Sequence, residues 1–584
     1  MQGISKRPRR RPLGLAVAVA LSALACAPAP ALASHSQVAI MQDDTALLAN
    51  PGPTLQEMRH LGVQMVRVTV RWSYIAPNPL SFRRPNFNAT DPNAYPAPSW
   101  APYDAIVEDA HNDGIKVLFD VTAFAPFWAQ GPGARRYKAK YETDRAFEPS
   151  ASAYGQFVRA VGIRYSGTFK PLGSTTALPR VSAWELYNEP NFGEDLAPQA
   201  IDDSRVLWAP VMLRGLLNAA WNALRATGHR SDTTVIGALA ARGAHIARRR
   251  GGLPGTYGET PPLEFIRELY CVDSRYRRYR GSAAAVRHCP ASAAASRRFR
   301  AQNPALFSSS GWSIHPYQLT ADANAPPDTT RYHDPDFVAL SQLPKMASTL
   351  DRVQRVYRSG KRFPLWNDEY GYITDAPVVA PPVKTCHCHF VSPATAAYYL
   401  NWAEYMSWAN PRIASFSQYE LYDPNPILNV VSYGGFASGL IYYPTVLGGK
   451  PKAGYFAYRL PIYVPRTSTR LGNPLRVWGD VRPAPFAVAD GDGPQYVQIQ
   501  FQQSPGAQWI LEKTVKVTDP HGYFETSVAF PSSGYVRIAW TYPQADTNLA
   551  SNLVTPAQTT VGPGGYIEPL GNPTNSRSVK ITIT

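Results

Sequence analysis

Residues 181–191 read Val181-Ser182-Ala183-Trp184-Glu185-Leu186-Tyr187-Asn188-Glu189-Pro190-Asn191, and how this stretch begins and ends decides the fold. Its first seven residues are apolar and aromatic enough for a short buried strand. Pro190 then stops the strand, because proline has no N–H for a sheet ladder and keeps Glu189 out of the helical region. A carboxylate with an amide beside it is thus presented at the carboxyl end of a buried parallel strand. A β/α barrel carries its reacting groups at that end. Residues 364–371, Pro-Leu-Trp-Asn-Asp-Glu-Tyr-Gly, repeat the arrangement around Glu369. Two carboxylates on two strand ends are the equipment for splitting a glycosidic bond.

Outward from these two stretches, strand-like and helix-like runs alternate. Strands are expected at 38–41, 65–72, 116–121, 181–187, 234–238, 312–317, 364–369 and 413–419. Amphipathic helices fall between most of them, near 54–61, 103–113, 151–165, 209–226, 346–358 and 394–408. Eight such units close a (β/α)8, or TIM, barrel over 34–466. An open doubly wound sheet is the alternative, and the lack of a phosphate-cradling glycine loop after the first strand weighs against it. From about residue 470 the texture changes to short alternating strands separated by turn signals such as Ser504-Pro505-Gly506. That predicts an antiparallel, immunoglobulin-like β-sandwich over 467–584.

A length of 584 residues suits two or three domains. Residues 1–33 read as a secretory signal: Lys6-Arg7-Pro8-Arg9-Arg10-Arg11 is basic, 13–25 is apolar, and Ala31-Leu32-Ala33 offers a small-x-small cleavage site. Lipid attachment at Cys26 is the weaker alternative, because Ala23 is a poor start for such a box. The mature chain is expected outside the cell, monomeric and without a membrane span, since the apolar run is too short to be one.

The net charge is +16. Residues 242–300 hold thirteen arginines against Glu259, Glu264, Glu268 and Asp273. Such a segment is ordinarily a solvated surface. A cationic rim beside the active site, selecting acidic polymers, is the sharper alternative. No nucleic-acid-binding motif accompanies it. Of the cysteines after the signal, Cys271 and Cys289 bracket part of this segment and are expected to form a disulfide. Cys386-His387-Cys388-His389 looks superficially like a metal cluster. Residues one apart on a strand point oppositely, however, and no second ligand pair has zinc-finger spacing, so neither metal nor cofactor is expected.

The motif Trp184-Glu185-Leu186-Tyr187-Asn188-Glu189-Pro190-Asn191 resembles the acid/base motif of clan A retaining glycoside hydrolases. It is closest to family 39 and looser toward the family 5 cellulases, and the resemblance covers roughly residues 38–465. It implies a (β/α)8 barrel with Glu189 as general acid/base on the fourth strand and Glu369 as nucleophile on the seventh, Asp368 being the substitute for the latter. By the same resemblance Asn188 faces the sugar 2-hydroxyl and Arg67 holds the nucleophile ionised, with Arg71 competing. His315 contacts substrate, and Tyr317 hydrogen-bonds the nucleophile. Trp128 and Trp312 are candidate stacking platforms. Gln418-Tyr419 stands where the clan usually has a tryptophan, and Thr122 where family 5 has a histidine, so the sugar is left open. The expected activity is that of a secreted O-glycoside hydrolase on a plant or microbial poly- or oligosaccharide. A non-catalytic carbohydrate-binding protein on the same barrel, or a transglycosylase, is the alternative.

Overall fold

The computed structural model describes residue 34 and residues 36–122, 124–135, 147–201, 204–244, 258–318, 325–330, 332, 334–374, 390–425, 436–543 and 573–584. The expected signal sequence at 1–33 and the Cys386–His389 stretch lie outside the described residues, as does much of the tail after 543.

Eight parallel strands close on themselves in chain order. They are β1 (Val38–Gln42), β2 (Met65–Arg71), β3 (Lys116–Thr122), β4 (Ala183–Leu186), β5 (Thr233–Ala240), β6 (Gly311–His315), β7 (Leu365–Asn367) and β8 (Ile413–Tyr419). Pairing of Val38 with Ser415 through Gln42 with Tyr419 shuts the barrel. The described helices that accompany them include α1 (Pro51–His60), α2 (Ala97–Asn112), α3 (Ala151–Arg164), α4 (Ala209–Ala226), α5 (Pro262–Leu269), α6 (Leu343–Val356), α7 (Pro393–Trp408) and α8 (Ala453–Arg459). None of the described helices is long and apolar enough to cross a membrane.

Strand alternation is inverted relative to an ordinary sheet. On β2 the valines Val66, Val68 and Val70 join the main core under the helices, together with Phe119, Trp184, Leu186, Trp312 and Ile314 from neighbouring strands. The barrel interior is apolar only at its amino-terminal end, where Ile40, Met65, Leu118, Ala183, Val235 and Trp366 form a separate cluster. Gly311 leaves room for that plug: a Cβ there would stand 2.5 Å from Cδ1 of Trp366. One layer up, Gln42, Arg67, Asp120, Glu185 and Ser313 are all buried. The barrel thus places a charged layer directly beneath the carboxyl ends of its strands.

The C-terminal unit is a β-sandwich. One sheet runs β10 (Ser468–Thr469), β17 (Val579–Ile583), β15 (Gly534–Thr541), β12 (Tyr496–Gln502) and β13 (Ile510–Lys516), with β16 (Pro573–Asn575) on β15. The other runs β14 (Tyr523–Val528), β11 (Leu475–Asp480) and β9 (Ile462–Tyr463). Its sheet therefore begins at Ile462, ahead of the expected 467, and β10 pairs with β17 in parallel rather than antiparallel. The sandwich is clamped to the barrel. Arg482, fully buried, donates through Nη2 to both oxygens of Glu404 on α7 at 2.7 Å. Trp408 and Trp478 pack across the same seam.

Cys271 and Cys289 are joined in a disulfide. The loop pinned by this bridge does not form the cationic rim that the sequence raised as an alternative, while Arg242, at the start of the Arg-rich segment, lines the cavity and Arg248, Arg249 and Arg250 lie outside the described residues. α5 stands in the outer ring between α4 and α6, and the pinned loop packs outside it. Tyr276 shares a hydrogen bond with Thr349 of α6, 3.0 Å apart, and the Arg287 carbonyl accepts from Arg214 of α4 at 2.5 Å. Arg275, Arg277, Arg278 and Arg280 are exposed there, away from the cavity wall. The reason is connective: a short α5 carries the chain outward before it returns to β6. The bridge closes a loop of 17 residues, so the Cys271→Ala/Cys289→Ala variant is expected to lose about 3 kcal/mol by the loop-entropy relation. Denaturant unfolding checks this, and an unchanged midpoint would mean that packing on α4 and α6 alone holds the loop.

Candidate active site

Beyond Leu186 the chain turns sharply. Tyr187 and Glu189 both take positive φ, 78° and 35°, a conformation that side chains other than glycine adopt only when their surroundings hold them. The neighbouring strands provide that hold. Tyr187 N–H donates to the Val121 carbonyl at 3.2 Å and Glu189 N–H to the Ala238 carbonyl at 2.9 Å. Asn188 N–H donates to Thr122 Oγ1 at 2.9 Å. Asn191 ties the turn to β5, accepting from Ala240 N–H at 2.9 Å and donating to the Thr260 carbonyl at 2.9 Å. Asn191, part of the quoted motif, is therefore a brace for Glu189.

The site gathers around Arg67, whose side chain is 1 % exposed. Its Nε donates to Glu185 Oε2 at 2.6 Å, Nη1 to Gln42 Oε1 at 2.5 Å and to Glu369 Oε1 at 3.0 Å, and Nη2 to Asn188 Oδ1 at 2.8 Å. Asp120 lies 3.4 Å from Nη2. The planar guanidinium fork thus orients one carboxylate of the site and the amide beside the other. Arg71, the competing candidate, faces Tyr74 and Phe124 instead.

Glu369 is held from both sides. Tyr317 hydroxyl donates to its Oε2 at 3.2 Å, opposite the Arg67 contact on Oε1. His315 Nδ1 lies 2.8 Å from Glu189 Oε1 and 3.2 Å from Glu369 Oε2, between the two carboxylates. Burial opposes a charge on His315, but Glu369 and Glu189 outweigh it and hold the imidazole above its ordinary range. Burial pushes Glu369 up; His315 and Arg67 oppose that, and the charge of Glu189 adds to it. Asp368 sits deeper, fully buried against Glu185, and burial followed by that neighbour's charge pushes it well up. Glu369 lines the cavity, whereas Asp368 does not.

The cavity between the strand ends has a volume of about 250 Å³ and is walled by Phe192, Arg242, Tyr317, Tyr419 and Phe436 around the two glutamates. Asn188 has its oxygen bound by Arg67 and donates to Asp195, a half-buried carboxyl raised first by desolvation and then by the charge of Glu189. The two tryptophans do not line the cavity. Trp312 is fully buried and packs outward against Tyr270, because on β6 it alternates with the inward-facing Ser313 and His315. Trp128 donates to the Pro77 carbonyl at 3.0 Å and lies edge-on to Trp72 and Phe87. The aromatic walls are instead Phe192, Tyr419 and Phe436. Of these, Tyr419 at the end of β8 and Phe192 directly after the motif were within reach of a strand-end search.

Glu189, His315 and Glu369 offer ligand atoms within 4.8 Å of one another, the kind of grouping that can hold a metal ion. A divalent cation there would meet the Arg67 guanidinium beside Glu369 and an imidazole whose surroundings favour its protonated form. The charge balance thus suits a pair of working carboxyls better than a metal centre.

No protein-family model and no curated protein matches the chain. Among solved structures, a glucosidase from Croceicoccus marinus is 11% identical over 86% of this chain and 94% of its own, with a TM-score of 0.43. A family 39 glycoside hydrolase from Bacteroides cellulosilyticus WH2 is 12% identical over 85% and 79%, with a TM-score of 0.39. A family 1 β-glucosidase from Thermotoga maritima is 14% identical over 70% and 85%, with a TM-score of 0.40. Likeness at this level is faint, and the chemistry has to stand on the cavity itself.

Proposed function

We propose that the chain is a retaining O-glycoside hydrolase in which Glu369 is the nucleophile and Glu189 the general acid/base. The observation that supports it is the pair of glutamates, from the ends of β4 and β7, with carboxyl oxygens within 4.8 Å across the cavity. Retaining enzymes hold their carboxyls about 5–5.5 Å apart, and inverting ones leave about 6.5–9.5 Å for a water.

The contacts divide the roles. Glu369 receives hydrogen bonds from Arg67 and Tyr317, both of which favour its anion. That leaves Glu189, across the cavity from this anion, as the group that protonates the leaving oxygen. Glu369 attacks the anomeric carbon as Glu189 protonates the departing glycosidic oxygen, which leaves as an alcohol. Glu189, now a carboxylate, takes a proton from water. The resulting hydroxyl attacks the same carbon, frees the sugar and regenerates Glu369. The Asn188 amide, fixed by Arg67, is placed to donate to a sugar hydroxyl. The expected site of action is outside the cell, following the basic and apolar sequence of 1–33.

A panel of 4-nitrophenyl glycosides, with the anomer formed first read by NMR, tests the reading; inversion, or no hydrolysis of any glycoside or polysaccharide, would overturn it. Glu189→Ala is expected to lower kcat/KM by about 10²–10⁴-fold on phenyl glycosides. On 2,4-dinitrophenyl glycosides, whose leaving group needs no proton, the loss should be far smaller. Azide should then yield a glycosyl azide of retained configuration. Equal losses on both leaving groups would remove Glu189 from the acid role.

A further inference from the structure

The catalytic end of the barrel carries a second depression, of about 330 Å³, built by the segments that follow β2 and β3. Its wall includes Tyr74 and Leu80, which are 56% and 72% exposed, and its floor Phe124 and Phe127. Single exposed apolar side chains are ordinary on a soluble protein, but a concave group of them marks a binding surface.

The group is fixed in place. The Arg71 guanidinium lies 5.4 Å from the Tyr74 ring centre and 5.1 Å from that of Phe124, and its Nη1 donates to the Tyr74 hydroxyl at 3.2 Å. Ser73 N–H donates to the Phe124 carbonyl at 2.7 Å, joining the two segments. Phe127 is stacked on Phe82, with centroids 4.6 Å apart. The result is a group of oriented aromatic rings, with a guanidinium over two of them and the Tyr74 hydroxyl at the rim. That combination suits a pyranose, whose C–H face is apolar and whose rim is polar.

The depression lies at the same end of the barrel as the two glutamates. Thr122, which ends β3, accepts from the N–H of Asn188 beside Glu189, and Phe124 follows two residues later. Arg71 lies on the same strand as Arg67 and four residues further up, about 13 Å at the rise of a parallel strand.

We infer that this depression is a second glycosyl-binding subsite, so that the preferred substrate is an oligo- or polysaccharide chain rather than a single glycoside. The inference rests on the glycosidase reading above. The Tyr74→Ala/Leu80→Ala variant removes only exposed side chains outside the catalytic machinery. The test compares kcat/KM for 4-nitrophenyl monoglycosides with that for the matching tetrasaccharides in the gluco, xylo, manno and galacto series, in wild type and variant. The wild type should favour the longer substrate. The variant should lose about five- to tenfold on the tetrasaccharide, as one aromatic contact implies, while leaving the monoglycoside rate unchanged. Hydrolysis that is indifferent to chain length, or a variant that keeps the full preference, overturns the subsite and leaves the glycosidase reading standing. If nothing is hydrolysed, that reading fails, and calorimetric titration of the soluble tetraoses decides the subsite. Tetraose binding weakened in the variant supports it, and equal or absent binding overturns it.

Discussion

Replacement of Glu369 by alanine is expected to abolish turnover, with kcat falling on the order of 10⁵-fold or more, as when a nucleophile that works with a partner group is removed. The carboxylate lies at the cavity surface with 14% of its side chain exposed, so the barrel should fold as before. Azide entering the vacated space should give a glycosyl azide of inverted configuration, because it attacks the anomeric carbon from the face that Glu369 occupied. This outcome is opposite to that at Glu189, and the two products together identify which carboxyl attacks and which transfers the proton. Should Glu369→Ala keep its rate while Asp368→Ala loses it, the nucleophile is Asp368. The geometry opposes that exchange: Asp368 is fully buried against Glu185 and outside the cavity wall.

Arg67→Ala should have the largest effect on stability. The guanidinium is the cation of the interior layer, contacting Glu185, Asp120 and Glu369 within 3.4 Å. Desolvation disfavours its charge, yet Glu185, Asp120 and Glu369 more than compensate and hold its pKa well up. Without it Glu185 remains in the barrel beside Asp120 with no cation bonded to it, keeping hydrogen bonds to Ser313 and Asp368. Removing one partner of such a buried network costs about 3–5 kcal/mol. Thermal unfolding should therefore begin well below that of the wild type, and activity should be lost even in the folded fraction. Arg67→Lys separates the two consequences. A single ammonium restores the charge but not the fork that reaches Glu185, Glu369 and Asn188 together, so stability should recover in part and turnover should not. Unfolding of Arg67→Ala at the wild-type temperature would refute this account of the interior.

Much of this was legible in the chain because the signals are local. The eight strands, the Asn188-Glu189-Pro190 stop and the Glu369 strand end depend on residues a few positions apart, and backbone sterics act over that range. Arg67 came from the resemblance, with Arg71 competing on the same strand, and the structure separates the two: Arg67 reaches Glu369 and Arg71 faces Tyr74 and Phe124. The phase of the strands was less legible. A barrel whose interior is polar at one end turns its valines and tryptophans outward, and Trp312, which sequence offers as a sugar platform, consequently packs against Tyr270 under the helices. Trp128 likewise sits among Trp72, Phe87 and Arg84, while the cavity takes its rings from Phe192, Tyr419 and Phe436.

By itself the sequence determined which residues could do chemistry and that they stand on strand ends. Strand alternation and chain-stopping residues are written within a single turn of chain. Only the tertiary structure decided which of them meet. Arg67 reaches Glu185 across 118 positions and Glu369 across 302, and the Arg-rich loop pinned by Cys271–Cys289 went to the outer ring instead of the active-site rim. Closure of the barrel fixes those encounters, because register around eight strands sets which side chain shares a layer with which, and no local pattern carries that register.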